Sequence, residues 1–284
     1  MIQLPPHLAY LDKRRQHLHH SLRYSASGWE YMDVWKDKSQ THEDAPVLLW
    51  IPGGGWAVGS RWTMQGHALM DYLVKMGWIC LSIDYRTAPL NRWPAPLEDV
   101  EAAIGWARRN VGYYGGNPDH IVACGASAGG HLATLAGIAG LVDGVVSLYG
   151  SYDWKDRSTP WRQFFMTYLE AFVVGKRSSA NPEAFISGSP MEQVKRNPMR
   201  VPTMMVHGTR DNLIPIDEAR RFHSILSEFS EEEVRYLELP VGHGFDLSDP
   251  VYCKVAIKAI AEFLTDHLCS FADDGLPSDV SQGT

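Results

Sequence analysis

The segment Gly125-Ala126-Ser127-Ala128-Gly129 is the part of this chain best suited to covalent chemistry. It follows an apolar run, Ile121–Cys124, and precedes Gly130 and a helix-like stretch, so it reads as G-x-S-x-G at a strand-to-helix turn. Small residues at 125 and 129 permit a sharp turn that lifts Ser127 above a sheet, with its backbone strained and its hydroxyl at a helix N-terminus. A serine hydroxyl is a weak nucleophile until a base takes its proton, and the base needs an acid to fix its tautomer. In doubly wound hydrolases the chain order is serine, acid, histidine. Downstream, Thr203–Val206 runs into His207-Gly208-Thr209-Arg210-Asp211, and Val234–Leu239 runs into Pro240-Val241-Gly242-His243-Gly244-Phe245. Asp211 and His243 are the expected acid and base, each in a loop at the C-terminal end of a strand, where active sites of such folds collect. Asp217 and Asp246 stand as alternative acids, although each is placed to open a helix as a cap. Taken without these partners, G-x-S-x-G also admits a glycine-rich strand-to-helix turn with no chemistry, although its setting favours catalysis.

Acyl transfer also needs donors for the charge on a tetrahedral intermediate. The run Val47–Ile51 ends in Pro52-Gly53-Gly54-Gly55-Trp56, where three glycines let backbone amides approach a ligand oxygen. The amides of Gly54, Gly55 and Ala128 are the expected oxyanion hole. A phosphate cradle would require a lysine after its glycines, and none follows here. Of the 12 histidines, His207 is expected to shape the Asp211 loop. His17, His19 and His20 read as a solvated helix face rather than a metal site. No metal ligand set is expected.

These residues need a scaffold that brings strand ends together. Six apolar runs, Val47–Ile51, Trp78–Ile83, Ile121–Cys124, Val145–Tyr149, Thr203–Val206 and Val234–Leu239, are short and bounded by Gly, Pro or Asp, as buried parallel strands are. Helical periods lie between them, through Leu69, Leu97, Val100, Ala219 and Phe222, and a last helix spans roughly Pro250 to Leu268. The pattern predicts an α/β fold, a mostly parallel doubly wound sheet with helices on both faces. Pieces around Leu22–Ser25 and Tyr31–Trp35 fit antiparallel strands at one edge. Residues 150–200 are too long for a simple crossover and carry Tyr152, Trp154, Trp161, Phe164, Phe165, Tyr168, Phe172 and Phe185. They read either as a short helical cap walling an apolar pocket or as a helical excursion that completes the core. In the first reading Trp56, Trp154, Phe164 and Phe165 bind substrate. The expected organisation is one domain over 1–269, with the cap insertion at about 150–200 and a frayed tail over 270–284.

The chain has 284 residues, 45% hydrophobic and 21% charged, with a formal net charge of −7. That balance offers no footprint for nucleic acid or anionic lipid. No stretch has the length of a membrane span, and no secretory leader is recognisable at the N-terminus. Four cysteines without metal-ligand spacing fit buried thiols in a reducing, cytoplasmic compartment.

Taken together, Pro52–Trp56, Asp84-Tyr85-Arg86-Thr87-Ala88-Pro89, Gly125–Gly130, His207–Asp211 and Gly242–Phe245 resemble the successive signatures of hormone-sensitive-lipase-like α/β-hydrolases, microbial carboxylesterases with an HGGGW-type oxyanion loop. Asp33-Val34-Trp35 and Tyr114-Gly115-Gly116-Asn117-Pro118-Asp119 are similar to segments of the actinobacterial members. The resemblance implies an α/β-hydrolase fold, no cofactor, and a triad of Ser127, Asp211 and His243 with Gly54, Gly55 and Ala128 as the hole. It also implies a small-molecule ester as substrate, of short to medium chain or aryl type, and leaves a homodimer open. An arylformamidase on the same triad and a non-catalytic binding protein are the alternatives. One residue departs from the pattern: the family's histidine before the glycines is Pro52 here. Proline has neither an imidazole nor an amide to brace the loop, so backbone rigidity is expected to hold it. Arg86 is expected to make a structural ion pair.

Overall fold

Strands that are apolar on both sides of the pleat need cover on both faces, and this requirement organises the molecule. The computed structural model describes residues 14–268 except 15, 26, 27, 29, 40 and 42. The strands are β1 (Leu18–Arg23), β2 (Tyr31–Trp35), β3 (Ala45–Ile51), β4 (Ile79–Ile83), β5 (Gly116–Ala126), β6 (Gly144–Leu148), β7 (Thr203–Gly208) and β8 (Val234–Leu239). They form one sheet in the order β1-β2-β4-β3-β5-β6-β7-β8. From β4 onward the pairings are parallel, while β2 runs antiparallel to both β1 and β4. The antiparallel pair at one edge matches the expectation, but β1 starts at Leu18, earlier than the run around Leu22. His19 and His20 therefore lie on an exposed strand, not on a helix. His17 is buried, with Nε2 2.9 Å from Asp71 Oδ1, which corrects its reading as solvated.

The helices are α1 (His67–Lys75), α2 (Ala95–Asn110), α3 (Ala128–Ile138), α4 (Pro160–Tyr168), α5 (Pro182–Ser187), α6 (Pro190–Arg196), α7 (Ile216–Phe229), α8 (Phe245–Ser248) and α9 (Pro250–Leu268). Alternate side chains of β3 separate cleanly between two cores. Val47, Leu49 and Ile51 join α2, α3 and α7 on one face, and Leu48 and Trp50 join α1 and α9 on the other. Cys80, Cys124 and Cys253 are buried on the second face and outside any disulfide. Cys269 and the segment 270–284 lie outside the described residues. Among the described residues, no helix is long and apolar enough to cross a membrane.

The long insertion after β6 holds α4, a π-turn over Leu169–Val173, α5 and α6. Thr159 caps α4 by accepting from the Arg162 amide, and Pro160 supplies the pre-set first residue. Tyr152, Trp154, Phe165 and Phe185 belong to the same core cluster as the α2–α3 face of the sheet, while Phe164 and Phe172 are exposed. The insertion therefore both completes a core and presents aromatic rings outward.

Candidate active site

Because β3, β5, β7 and β8 are parallel, the loops that follow them open on the same edge of the sheet. The turn after β5 is the sharpest. Ser127 sits at φ +54 and ψ −117, a conformation that costs a non-glycine residue about 1–3 kcal/mol and persists only where its surroundings enforce it. They do so here: the Ser127 amide donates to Leu148 O (2.8 Å), and a Cβ at Gly129 would run into the Ile51 carbonyl. Gly129 thus lets α3 close onto the end of β3 and hold Ser127 at the helix N-terminus.

Three side chains from three loops meet there. His243 Nδ1 lies 2.7 Å from Asp211 Oδ2, and His243 Nε2 lies 2.9 Å from Ser127 Oγ. A proton on Nδ1 donates to the carboxylate and leaves Nε2 free to accept from the serine. Asp211 is held on its other side as well, with Oδ1 accepting the amides of Leu213 and Ile214, both at 2.8 Å. His207 donates through Nε2 to Ile214 O (2.9 Å) and stands 3.4 Å from Asp211 Oδ2, the loop-shaping placement expected of it. Burial raises the Asp211 pKa, but bonds from His207 and His243 outweigh that and hold the carboxyl well below its ordinary range.

The alternative acids are elsewhere. Asp217 is exposed in the first turn of α7, where Pro215 occupies the cap position. Asp246 is half-buried in the first turn of α8, accepting from the Tyr149 hydroxyl and the Gly66 amide (3.1 Å), and it too is not a cap. Arg86 pairs with Asp99 and Glu98, as expected of a structural ion pair.

The glycine loop reaches the same edge. Gly54 (φ +135) and Gly55 (φ +61) occupy conformations that favour glycine, and a Cβ on Gly54 would strike the Val58 carbonyl. Among the described residues, neither amide donates to a backbone acceptor outside a helix or strand. Ala128, as the first residue of α3, has an amide with no intrahelical acceptor. The brace that Pro52 cannot supply comes from several side chains, not from backbone rigidity alone. Tyr85 donates its hydroxyl to Pro52 O (2.9 Å), and the Gly53 amide donates to Gln65 Oε1 (2.8 Å). Tyr168 donates to Gly55 O (2.6 Å), and Trp56 Nε1 donates to His131 Nδ1 (3.2 Å). No periodicity announces these bonds, because Tyr168 is 113 residues from its acceptor.

The four aromatic residues expected to bind substrate separate into two environments. Trp56 and Trp154 are buried against each other, edge to face with centroids 5.0 Å apart, and Phe165 packs beside Trp56. Phe164 is 62% exposed and stacks on Trp161, whose Nε1 donates to Leu213 O two residues beyond Asp211. Of these four, Phe164 alone presents an open ring beside the Asp211 loop. Among the described residues, no group of three or more His, Cys, Asp or Glu could hold a metal ion.

The BD-FAE family profile matches residues 32–226. Esterase LipC of Mycobacterium tuberculosis is 43% identical over 276 residues, covering 92% of this chain and 68% of its own length. Esterase LipQ of the same organism is 33% identical over 276 residues, covering 91% of this chain and 65% of its own length. The chain thus spans about two thirds of these relatives. A thermophilic esterase from Thermogutta terrifontis superposes with a TM-score of 0.71 at 21% identity, over 90% of this chain and 95% of that one, which establishes the shared fold. The chain belongs to the BD-FAE family and is a hormone-sensitive-lipase-like α/β-hydrolase of the actinobacterial carboxylesterase type.

Proposed function

We propose that this protein hydrolyses small carboxylic esters through an acyl-enzyme on Ser127. The reading rests on one observation above others: His243 bridges Ser127 Oγ and Asp211 Oδ2 at 2.9 and 2.7 Å. In the first step Ser127 Oγ attacks the ester carbonyl carbon while His243 Nε2 takes its proton. Asp211 steadies the imidazolium, and the amides of Gly54, Gly55 and Ala128 receive the oxyanion. Collapse of the intermediate breaks the bond to the alcohol oxygen, which leaves with the proton from His243. Water then loses a proton to His243, attacks the acyl carbon, and releases the acid with Ser127 Oγ reprotonated.

The substrate class is a short- to medium-chain or aryl ester. Support comes from the outward rings of Phe164 and Phe172 and from Tyr168, which lies on the glycine loop. The test is hydrolysis of p-nitrophenyl esters from acetate to laurate by the wild type and Ser127→Ala. A serine-dependent rate that peaks at short or medium chains is the expected result. Substantial turnover by Ser127→Ala would sink the assignment, and preference for N-formylkynurenine over phenyl acetate would replace esterase by formamidase.

A further inference from the structure

We propose that His131 is a positioning residue that sets the geometry of the oxyanion loop, holding the Trp56 indole from the same helix that carries Ser127. This inference rests on the hydrolase reading above. His131 is wholly buried on α3, and its amide donates to Ser127 O (3.0 Å). Its Nε2 lies 2.7 Å from the Gly188 carbonyl, which can only accept, so Nε2 carries the proton. Nδ1 is then a lone pair, and it accepts Trp56 Nε1–H at 3.2 Å. Both ring nitrogens are satisfied by one neutral tautomer. Burial keeps the ring in that state, holding its pKa down to about 3.

Trp56 is where a brace is needed. It follows Gly55 directly and sits at φ +59, a left-handed conformation that is an outlier for so bulky a residue. Such strain persists only where the surroundings fix the side chain. His131 fixes it by a hydrogen bond and by edge-to-face contact at 5.0 Å, while Trp154 stacks on the imidazole with planes 2° apart and centroids 4.8 Å apart. If the indole were released, Trp56 could relax toward negative φ and carry the Gly54–Gly55 and Gly55–Trp56 peptides with it. The hole has two halves, the glycine loop and the Ala128 amide, and α3 carries both the second half and the brace of the first. His131 therefore keeps the halves in register. It occupies the role left open by Pro52, from beneath the loop and not from the residue before it.

Transition-state donors act only when correctly placed, so a misplaced loop should lower kcat more than it raises KM. The experiment compares wild type, His131→Phe, His131→Asn, Trp56→Phe and the His131→Phe/Trp56→Phe double variant. It reads kcat and KM on the best p-nitrophenyl ester and the rate at which a fluorophosphonate labels Ser127. His131→Phe keeps the flat ring that stacks on Trp154 but loses the acceptor. It should lower kcat and the labelling rate by roughly tenfold to a hundredfold, with KM within about threefold of wild type. His131→Asn, whose Oδ1 can replace Nδ1 as the acceptor for Trp56 although its amide falls short of Gly188, should recover part of the loss, and the double variant should be no worse than the worse single. A kcat within about twofold of wild type in folded His131→Phe would overturn the proposal, as would an effect confined to KM or to thermal stability. Should His131→Phe fail to fold, Trp56→Phe reads the same bond, and an unchanged kcat there overturns it equally. A wild type that neither turns over esters nor labels at Ser127 would instead sink the hydrolase reading.

Discussion

The ring of Tyr149 meets the imidazole of His243 edge-on, with centroids 4.7 Å apart and planes at 63°. Tyr149 is itself held at φ +40, and its hydroxyl donates to the half-buried carboxylate of Asp246. One wall of the His243 site is thus a strained tyrosine anchored by a carboxylate that takes no part in the triad. Burial raises the Asp246 pKa, and the Tyr149 hydroxyl and Gly66 amide work against that rise. A carboxyl whose folded pKa lies above its unfolded value favours folding most at low pH, and that contribution is lost as pH rises through the folded pKa. Tyr149→Phe removes one opposing donor, so its stability deficit should grow with pH and reach about 1–3 kcal/mol near neutrality. Urea unfolding of both proteins at pH 4.5 and 7.5 checks this; a deficit larger at the lower pH would refute it.

Strain at Ser127 gives a second expectation. Glycine tolerates φ +54 and ψ −117 where other residues do not, so Ser127→Gly should be inactive yet more stable than Ser127→Ala by about 1 kcal/mol. Thermal unfolding of the two variants measures the difference.

Asp211→Asn should preserve the fold but offer an amide where His243 needs a carboxylate. The wrong tautomer is then favoured, and kcat should fall by roughly 10⁴-fold. The readout is kcat on a p-nitrophenyl ester beside an unchanged near-ultraviolet circular dichroism spectrum.

Arg162 on α4 and Glu218 on α7 form an ion pair with both side chains buried, and Glu218 also accepts the amides of Tyr152 (2.6 Å) and Asp153 (2.9 Å). Burial raises the Glu218 pKa, and Arg162 counters it. Arg162→Met leaves a buried carboxylate without its cation and should cost about 3–5 kcal/mol, most of it recovered by adding Glu218→Gln. Denaturant titrations of the single and double variants test the coupling.

His131 makes stability depend on pH in a defined window. Its folded pKa is depressed to about 3 while the unfolded histidine keeps its ordinary value near 6.5, so below about 6.5 the unfolded chain binds the extra proton. The contribution is complete above that pH and is lost as pH falls toward the folded pKa, by up to ~1.4 kcal/mol per pH unit. Replacing His131 by Asn should flatten the decline between pH 6.5 and 4.5. Unfolding free energies across that range provide the measurement.

Much of the site could be read from the sequence because its chemistry lies in local motifs at strand ends. Ser127, Asp211 and His243 each follow an apolar run, and parallel strands place their C-terminal loops on one edge whatever fills the sheet. The glycines before Trp56 were legible for a related reason, since backbone that must approach a ligand admits no Cβ. The same logic located the strands, although β5 begins at Gly116, several residues before its apolar run, because pairing with Ala45 extends it through polar residues. What the sequence could not show was who braces whom. Gln65, Tyr85, His131 and Tyr168 come from four separate elements or loops and meet the glycine loop only after the sheet and insertion have packed. Trp154 and Phe164 are similar in type and lie in the same insertion, yet one is buried on His131 and the other faces outward. Residue type and spacing fix the chemistry available to a loop, because they act through bonds and the pleat. Which partner restrains that loop depends on contacts across more than a hundred residues, and only the packed tertiary structure decides those.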